Sequence, residues 1–267
     1  DVHGPLSIPS SEGYRYVLSF IDVYTRYQWV YFLRAKDDAA DCFLQWLDDV
    51  DRTAAKFEAT ESTRLAQRIM VLKSDCAPEL IKGHMAELCK LHGIKQTQAV
   101  AYSHTGMAII ERSWQTHRNG VLSCLAAAPH LDKKLWPLAW QYVNRTQNML
   151  PHSRKDDPAL NNKSPYELVF RKKPDFSHHK VWGCSVMQLI DHTLRTKIDY
   201  KSKPGYFVGM HNVSNAFLVL DSATHKITNA HQISANEDIN KMGALHSDRS
   251  LHAVNLFDDD QTLTVYP

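Results

Sequence analysis

The chain has 267 residues, of which 43% are hydrophobic and 22% charged, with a net charge of +2. That balance belongs to an ordinary globular protein with core enough for one large domain or two modest ones. No apolar run approaches the roughly 20 residues that a bilayer-spanning helix needs, which excludes a membrane span of that kind.

The small net charge hides a segregation. Residues 1–65 carry 7 Lys and Arg against 11 Asp and Glu, and residues 212–267 carry 3 against 7. Between them, residues 66–150 hold 10 bases against 5 acids and residues 151–211 hold 11 against 6. A basic middle flanked by acidic ends suits a polyanionic partner. The five cysteines (Cys42, Cys76, Cys89, Cys124, Cys184) include no C-x-x-C pair, the pattern of reduced thiols inside a cell. The sequons at Asn144 and Asn212 are then expected to be idle. With Asp1 in first place and no signal peptide, the chain is expected to be cut from something longer, such as a polyprotein.

In chain order, "YRYVLSFIDVYTRYQWVYFL" (14–33) is rich in β-branched and aromatic residues and predicts two strands joined by a turn at "DVYTR". Apolar residues at helical spacing over 36–57 predict a helix opened by Lys36-Asp37-Asp38. Ile69–Leu72 is a short apolar run that reads as a buried strand, 69–74. A helix is expected near 78–92, a strand at 94–98, a long helix at about 106–125 and another at about 133–148. The alternation predicts an α/β layered domain with a mixed sheet. "PHSRKDDPALNNKSP" reads as a proline-bounded linker. Short strands with turns between them then fill 181–233, the pattern of a small antiparallel barrel or sheet. The last stretch, with Asp258-Asp259-Asp260, reads as weakly ordered.

Asp75, in "IMVLKSDCAPELIKGH", stands where a buried strand should end and just before Pro78. Two roles fit it. It can serve as a helix cap or first-turn acid supported by Glu79, or as a ligand or catalytic carboxylate with partners elsewhere. Glu111, Gln115 and Arg118 recur at i, i+4, i+7 as one polar stripe of the long helix, whose apolar face is expected to be Ala108, Ile109, Trp114, Val121, Leu122 and Leu125. Such a stripe is by itself the wet side of a helix. With Asp1 in "DVHGPL" upstream, however, the chain offers Asp, then Asp-x35-Glu.

That arrangement resembles the retroviral-type integrase core, and more closely the integrases of copia-type long-terminal-repeat retrotransposons. The resemblance covers roughly residues 1–235. It rests on "DVHGPL" and the 13–33 hairpin, on "LKSDCAPEL", on "ERSWQTHRNGVL", on "LWPLAWQYVNRTQNMLPHS" and on "KSPYELVFRKKPDFSHHKVWGCSVM" with "KSKPGYFVGMH". It implies an RNase H-like catalytic core over 1–150 and a linker with a short helix over 151–180. An SH3-like small β domain over 181–235 and an acidic tail over 236–267 would follow. It also implies a polynucleotidyl transferase that trims a DNA 3′ end and inserts element DNA into target DNA. Asp1, Asp75 and Glu111 match the family's three metal-binding acids. Such acids hold two Mg²⁺ ions roughly 4 Å apart, with Mn²⁺ as a substitute. Arg112, Gln115 and Arg118 would face double-stranded DNA, as would Arg171-Lys172-Lys173, a basic run that is otherwise usually just solvated. A homo-oligomer, an upstream His-His-Cys-Cys zinc module that is absent here, and nuclear localisation after a cytoplasmic particle stage are further implications.

Departures from the family's pattern are Cys76-Ala77 in place of the usual Asn-Gly, and His104-Thr105-Gly106 near the usual Gln-Asn-Gly. They keep open a catalytically inactive, DNA- or chromatin-binding derivative, and the fold also admits a DNA transposase or nuclease. Asp22 reads better as a turn acid than as a catalytic one. Cys76, His84, Cys89 and His92 fit no common zinc spacing. Trp114, Trp136 and Trp140 read as core, and His225, His231, His246 and His252 as solvent histidines.

Overall fold

The computed structural model describes residues 1–55, 69–98, 108–153, 157, 158, 160–211, 214 and 216–238. The chain divides into two compact units, Asp1–Val121 with Lys133–Phe176, and Leu122–Asp132 with Ser177–Pro267. The expected features at 102–107 and at 239–267, including Gly106, His246, His252 and Asp258–Asp260, lie outside the described residues, as do Asn212 and Arg154–Asp156 of the linker.

In the first unit, β1 (Val2–His3), β2 (Tyr16–Ile21) and β3 (Gln28–Leu33) form an antiparallel sheet in that order. The β2–β3 turn closes as its sequence predicts. Asp22 Oδ2 accepts from the Thr25 backbone N–H at 2.8 Å and from its hydroxyl at 2.5 Å. That local bonding makes Asp22 a turn acid. Helix α1 (Ala39–Ala55) buries Ala39, Phe43, Trp46, Leu47 and Val50, a stripe at helical spacing, against the sheet. Phe20 of β2 stacks on Trp46 with ring centroids 4.3 Å apart. Burying each aromatic side chain of this kind stabilises by roughly 1.5–3 kcal/mol.

Strands β4 (Val71–Ser74) and β5 (Lys95–Gln98) pair in parallel, connected by α2 (Pro78–Ile81) and α3 (Gly83–Leu91). The single helix expected near 78–92 is broken because Lys82 is extended and Gly83 takes φ +57, a left-handed conformation open to glycine. The apolar run at 69–72 is not the buried strand its composition suggests, since Met70 and Val71 are 77% and 54% exposed. Among the described residues β4 pairs with β5 alone, while the two residues of β1 are engaged by Leu18 and Val17 of β2. The mixed α/β class therefore holds; among the described residues the strands of this unit lie in two sheets where one mixed sheet was expected.

Two longer helices complete this unit's framework, α4 (Ala108–Ala127), within which the division between units falls, and α5 (Trp136–Met149). Gly120 of α4 lets Val143 of α5 approach, because a Cβ there would lie 2.7 Å from Val143 Cγ1. Trp136 and Trp140 are buried along α5, as core tryptophans should be. The short α6 (Pro165–Phe170) is capped by Ser164, whose hydroxyl accepts from the Glu167 N–H at 3.0 Å.

The second unit is built on a five-stranded antiparallel sheet. Its strands are β6 (Ser185–Leu189), β7 (Ser202–Met210), β8 (Phe217–Asp221), β9 (Ile227–Ala230) and β10 (Ile233–Asn236), in the order β10-β6-β7-β8-β9. Trp182, Cys184, Val186, Phe207, Val208 and Val219 are fully buried in it, and the Trp182 indole N–H donates to the Val208 carbonyl at 3.0 Å. Gly205 of β7 sits so close to β8 that a Cβ would lie 2.5 Å from Val219 Cγ1 and 2.7 Å from the Leu220 carbonyl. Backbone cannot yield as a flexible side chain does. Gly205→Ala should therefore destabilise the chain by about 1–3 kcal/mol in urea unfolding. An unchanged midpoint would show that β8 can shift.

Candidate catalytic site

Asp1 is fixed from three directions. Its backbone continues the β1–β2 ladder, with the Ser19 N–H donating to the Asp1 carbonyl at 2.9 Å and the Asp1 amino group donating to the Ser19 carbonyl at 3.0 Å. Its carboxylate Oδ2 accepts from the indole N–H of Trp114 at 2.8 Å. Trp114 is buried on α4, stacked on His3 at 5.2 Å and edge-on to Trp140 at 6.0 Å. The expected core tryptophan thus also holds an acid.

Asp75 follows β4 and is partly buried. Its Oδ1 accepts from the Ala77 N–H at 3.2 Å, which tightens the turn ahead of α2. The N-cap of α2 is Ala77, with no side-chain cap bond, so the cap reading of Asp75 is corrected to a turn acid one step before the helix.

Glu111 lies in the first turn of α4, exposed, three residues before Trp114. Arg112, Gln115 and Arg118 are exposed on the same helix, whereas Ile110, Trp114, His117 and Val121 are buried. The polar stripe is as expected but the apolar face is rotated, with Ala108 and Leu122 exposed and His117 inside. Burial lowers the His3 pKa, and the positive charge of Arg118 lowers it further. Arg171, Lys172 and Lys173 follow α6, all exposed, with Arg171 in a left-handed conformation at φ 51.

Three carboxylates offer the oxygen donors that Mg²⁺ or Mn²⁺ prefers. As placed, they do not form a ligand set: among the described residues no three His, Cys, Asp or Glu side chains come together to hold a metal ion. Asp1 is bonded through Trp114 to the helix that carries Glu111, and Asp75 stands in the turn after β4. One oxygen of each aspartate is already engaged by an N–H donor. Cys76 is exposed, its thiol 3.9 Å from Gln98 Oε1, while Cys89 is buried in the core on α3 and His84 faces Glu87 at 3.7 Å.

A buried polar network that sequence reasoning did not single out ties this region together. Gln28, at the start of β3, donates through Nε2 to Ser19 Oγ at 2.6 Å and accepts from the Ser113 hydroxyl through Oε1. Its backbone N–H donates to Asn148 Oδ1 at 2.9 Å, and its carbonyl accepts from Asn144 Nδ2 at 3.0 Å and Asn148 Nδ2 at 2.8 Å. His117 lies 2.9 Å from the Ser113 carbonyl through Nδ1 and 3.2 Å from Asn144 Oδ1 through Nε2. Strand β2, strand β3, α4 and α5 are joined at one place, beside the Asp1–Ser19 pair. The available signal was phase: His117 falls three residues after Trp114, and Asn144 and Asn148 are one turn apart on α5.

Residues 184–247 match the family model described as "Retroviral polymerase SH3-like domain". The chain is 28% identical over 237 residues to the retrovirus-related Pol polyprotein from transposon TNT 1-94 of Nicotiana tabacum, covering 89% of this chain and 17% of that protein. It is 27% identical over 232 residues to the corresponding polyprotein from transposon RE2 of Arabidopsis thaliana, covering 86% and 14%. The chain thus spans about a sixth of the length of these relatives. Among solved structures, the HTLV-2 integrase catalytic core domain in complex with magnesium is 15% identical, covering 63% of this chain and 92% of that one, with a TM-score of 0.43. A simian T-cell lymphotropic virus intasome bound to PP2A regulatory subunit B56 gamma is 12% identical, covering 88% and 76%, with a TM-score of 0.46. The homologues of this chain are copia-type retrotransposon Pol polyproteins, and it contains a retroviral polymerase SH3-like domain.

The network makes stability depend on pH in one direction. Burial lowers the His117 pKa, outweighing the Ser113 and Asn144 bonds that raise it. The unfolded chain then binds more protons than the folded one below about pH 6.5. Stability should be complete above that pH and fall as pH drops through the folded value. Urea unfolding of wild type and His117→Gln between pH 7.5 and 5 tests this. The fall should be shallower in the variant, and parallel curves would show that His117 contributes nothing to it.

Proposed function

We propose that this chain is the integrase portion of a copia-type retrotransposon polyprotein. It trims the 3′ ends of element DNA and joins them to target DNA by phosphoryl transfer that requires Mg²⁺ or Mn²⁺. Asp1, Asp75 and Glu111 are the acids of the reaction. The observation that carries this reading is that the Asp1 carboxylate is bonded through the Trp114 indole to the helix bearing Glu111. The similarity to Pol polyproteins over 89% of the chain supports it.

Exposed Arg112, Gln115 and Arg118 beside Glu111, and Arg171-Lys172-Lys173 after α6, supply donors for the phosphodiester backbone of double-stranded DNA. In this reading the chain works as a homo-oligomer in the nucleus, after a cytoplasmic particle stage. A second reading is a catalytically inactive, DNA-binding derivative. Two observations favour it: the described residues gather no three-acid metal group, and Cys76-Ala77 follows Asp75.

Strand transfer onto plasmid DNA with matched terminal-repeat ends decides between the two. Asp1→Asn, Asp75→Asn and Glu111→Gln should each abolish metal-dependent joining while leaving DNA affinity nearly unchanged, and Asp22→Asn should keep most of it. Wild type that binds DNA but never joins it establishes the inactive derivative, and an Asp22→Asn as dead as Asp75→Asn means the acids are assigned wrongly. Replacing Arg171, Lys172 and Lys173 together with Ala should reduce the slope of log affinity against log salt by up to about 3, near one unit for each phosphate no longer neutralised. An equal removal of bases from residues 1–65 should leave it unaltered. Identical slopes would place DNA elsewhere.

A further inference from the structure

Helix α5 is held against the end of the β2–β3 turn by two asparagines. Asn144 Nδ2 and Asn148 Nδ2 donate to the Gln28 carbonyl at 3.0 and 2.8 Å, and the Gln28 N–H donates to Asn148 Oδ1 at 2.9 Å. Tyr27 precedes Gln28 and Arg145 follows Asn144, so the same bonds put residues 27 and 145 on facing segments. Helix α6 packs on α5 and carries Tyr166 and Phe170. Phe170 is edge-on to Tyr27, with ring centroids 5.7 Å apart, and lies 4.3 Å from Tyr166. Tyr27, Arg145, Tyr166 and Phe170 all belong to the first unit, and each is partly exposed.

Arg145 lacks a counter-charge. Its Nε is buried without a hydrogen bond, and it makes no ion pair with any described residue, Glu167 beside Tyr166 included. Burial lowers its pKa, and Tyr27 and Tyr166 oppose that shift. Neither tyrosine supplies a negative charge. A phenol is neutral near pH 7, and burial pushes Tyr27 further up, to about 12. Asp49, whose charge also acts on Tyr27, has both oxygens engaged, one by Arg52 Nη2 and one by the Tyr31 hydroxyl, each at 2.7 Å. A guanidinium keeps its proton in a protein, and a charge drawn out of water without a partner is costly. An anion settling there removes that cost.

We propose that Arg145, with the Tyr27 and Tyr166 hydroxyls, is a phosphate-binding site. The guanidinium offers a fork of N–H donors, Nε–H among them, and the phenols offer two O–H donors. A tetrahedral phosphate has oxygens enough for all of them, whereas the fork alone fills a planar carboxylate. Arg171, Lys172 and Lys173 begin directly after Phe170 and are exposed, which favours further negative charge in the same region. The phosphate can come from a DNA backbone or be free in solution. Only the first source rests on the DNA-joining reading, and the site uses none of the proposed acids.

Two probes test the full chain. Inorganic phosphate is followed by phosphorus NMR line broadening and by melting temperature at constant ionic strength, and a labelled DNA duplex by anisotropy. Wild type should bind phosphate saturably and melt higher with it than with chloride. Arg145→Gln should lose that binding. In phosphate-free buffer it should nevertheless melt at or above wild type, since it removes a charge that has no partner. Tyr27→Phe and Tyr166→Phe, which keep the rings, should each weaken phosphate binding about fivefold. Asp75→Asn should bind phosphate as wild type does, which separates this site from the catalytic reading. If Arg145→Gln lowers the slope of log duplex affinity against log salt by about one, the DNA backbone is the source. An unchanged slope identifies free phosphate. No saturable phosphate binding by wild type, or equal binding by wild type and Arg145→Gln, overturns the proposal. So does an Arg145→Gln that melts below wild type in every buffer while both Phe variants bind phosphate as wild type does.

Discussion

The arrangement around Gln28 is the constraint on which the first unit depends. A strand normally satisfies its backbone through neighbouring strands, yet the N–H and carbonyl of Gln28 are taken by Asn144 and Asn148 on a helix. Helix α5 acts there as a substitute strand edge. The side chain of the same residue then reaches Ser19 on one side and Ser113 on the other. Every buried polar group in such a cluster must find a partner, because one left unsatisfied costs about 1–3 kcal/mol. Few relative positions of β2, β3, α4 and α5 meet that demand together, so the network selects one of them. Apolar packing of Trp114, Trp136 and Trp140 alone would tolerate several.

Positional selection of this kind matters most for Asp1. The ladder to Ser19 fixes its backbone, and Ser19 is itself held by Gln28. The Trp114 indole fixes its carboxylate from α4, the helix that Ser113 ties to Gln28. Both ends of Asp1 are thus referred to one buried amide, and its distance from Glu111 is set by the rigid first turns of a helix.

Much of this was legible in the sequence, and the failures share a cause. Patterns local to one element came through. The Asp22 turn needs only a carboxylate three residues before a threonine, and α1 needs only its apolar period. The short strands of the second unit announce themselves by their turns, although the stretch read as one, "HKITNAHQI", spans both β9 and the start of β10. What the sequence misled on depends on partners distant in the chain. Ile69–Leu72 is apolar enough for a central strand, but burial of Met70 and Val71 requires a second neighbour for β4, which local composition cannot supply. The rotated face of α4 is the same problem. Ile109 and Leu122 look like core, while His117 is inside, 3.2 Å from Asn144 Oδ1, a partner 27 residues later in the chain. The Asp75 turn escaped notice for a subtler reason, since a cap and a pre-helical turn differ by one residue of register.

The three acids show how far geometry and chemistry can pull apart. Like charges at 4 Å repel by roughly 4 kcal/mol at an effective dielectric of 20, so carboxylates gathered in a cleft need positive charge or hydrogen-bond donors. Here the donors are internal: an indole N–H on Asp1 and a backbone N–H on Asp75, while Glu111 is left to water. Each aspartate keeps one oxygen outside these bonds. The donors therefore relieve the repulsion without closing the acids off, and the same N–H groups would orient the carboxylates for a ligand approaching the open oxygens. A carboxylate held in this way has already given up rotamer entropy in folding, whereas Glu111, exposed in the first turn of α4, keeps its own.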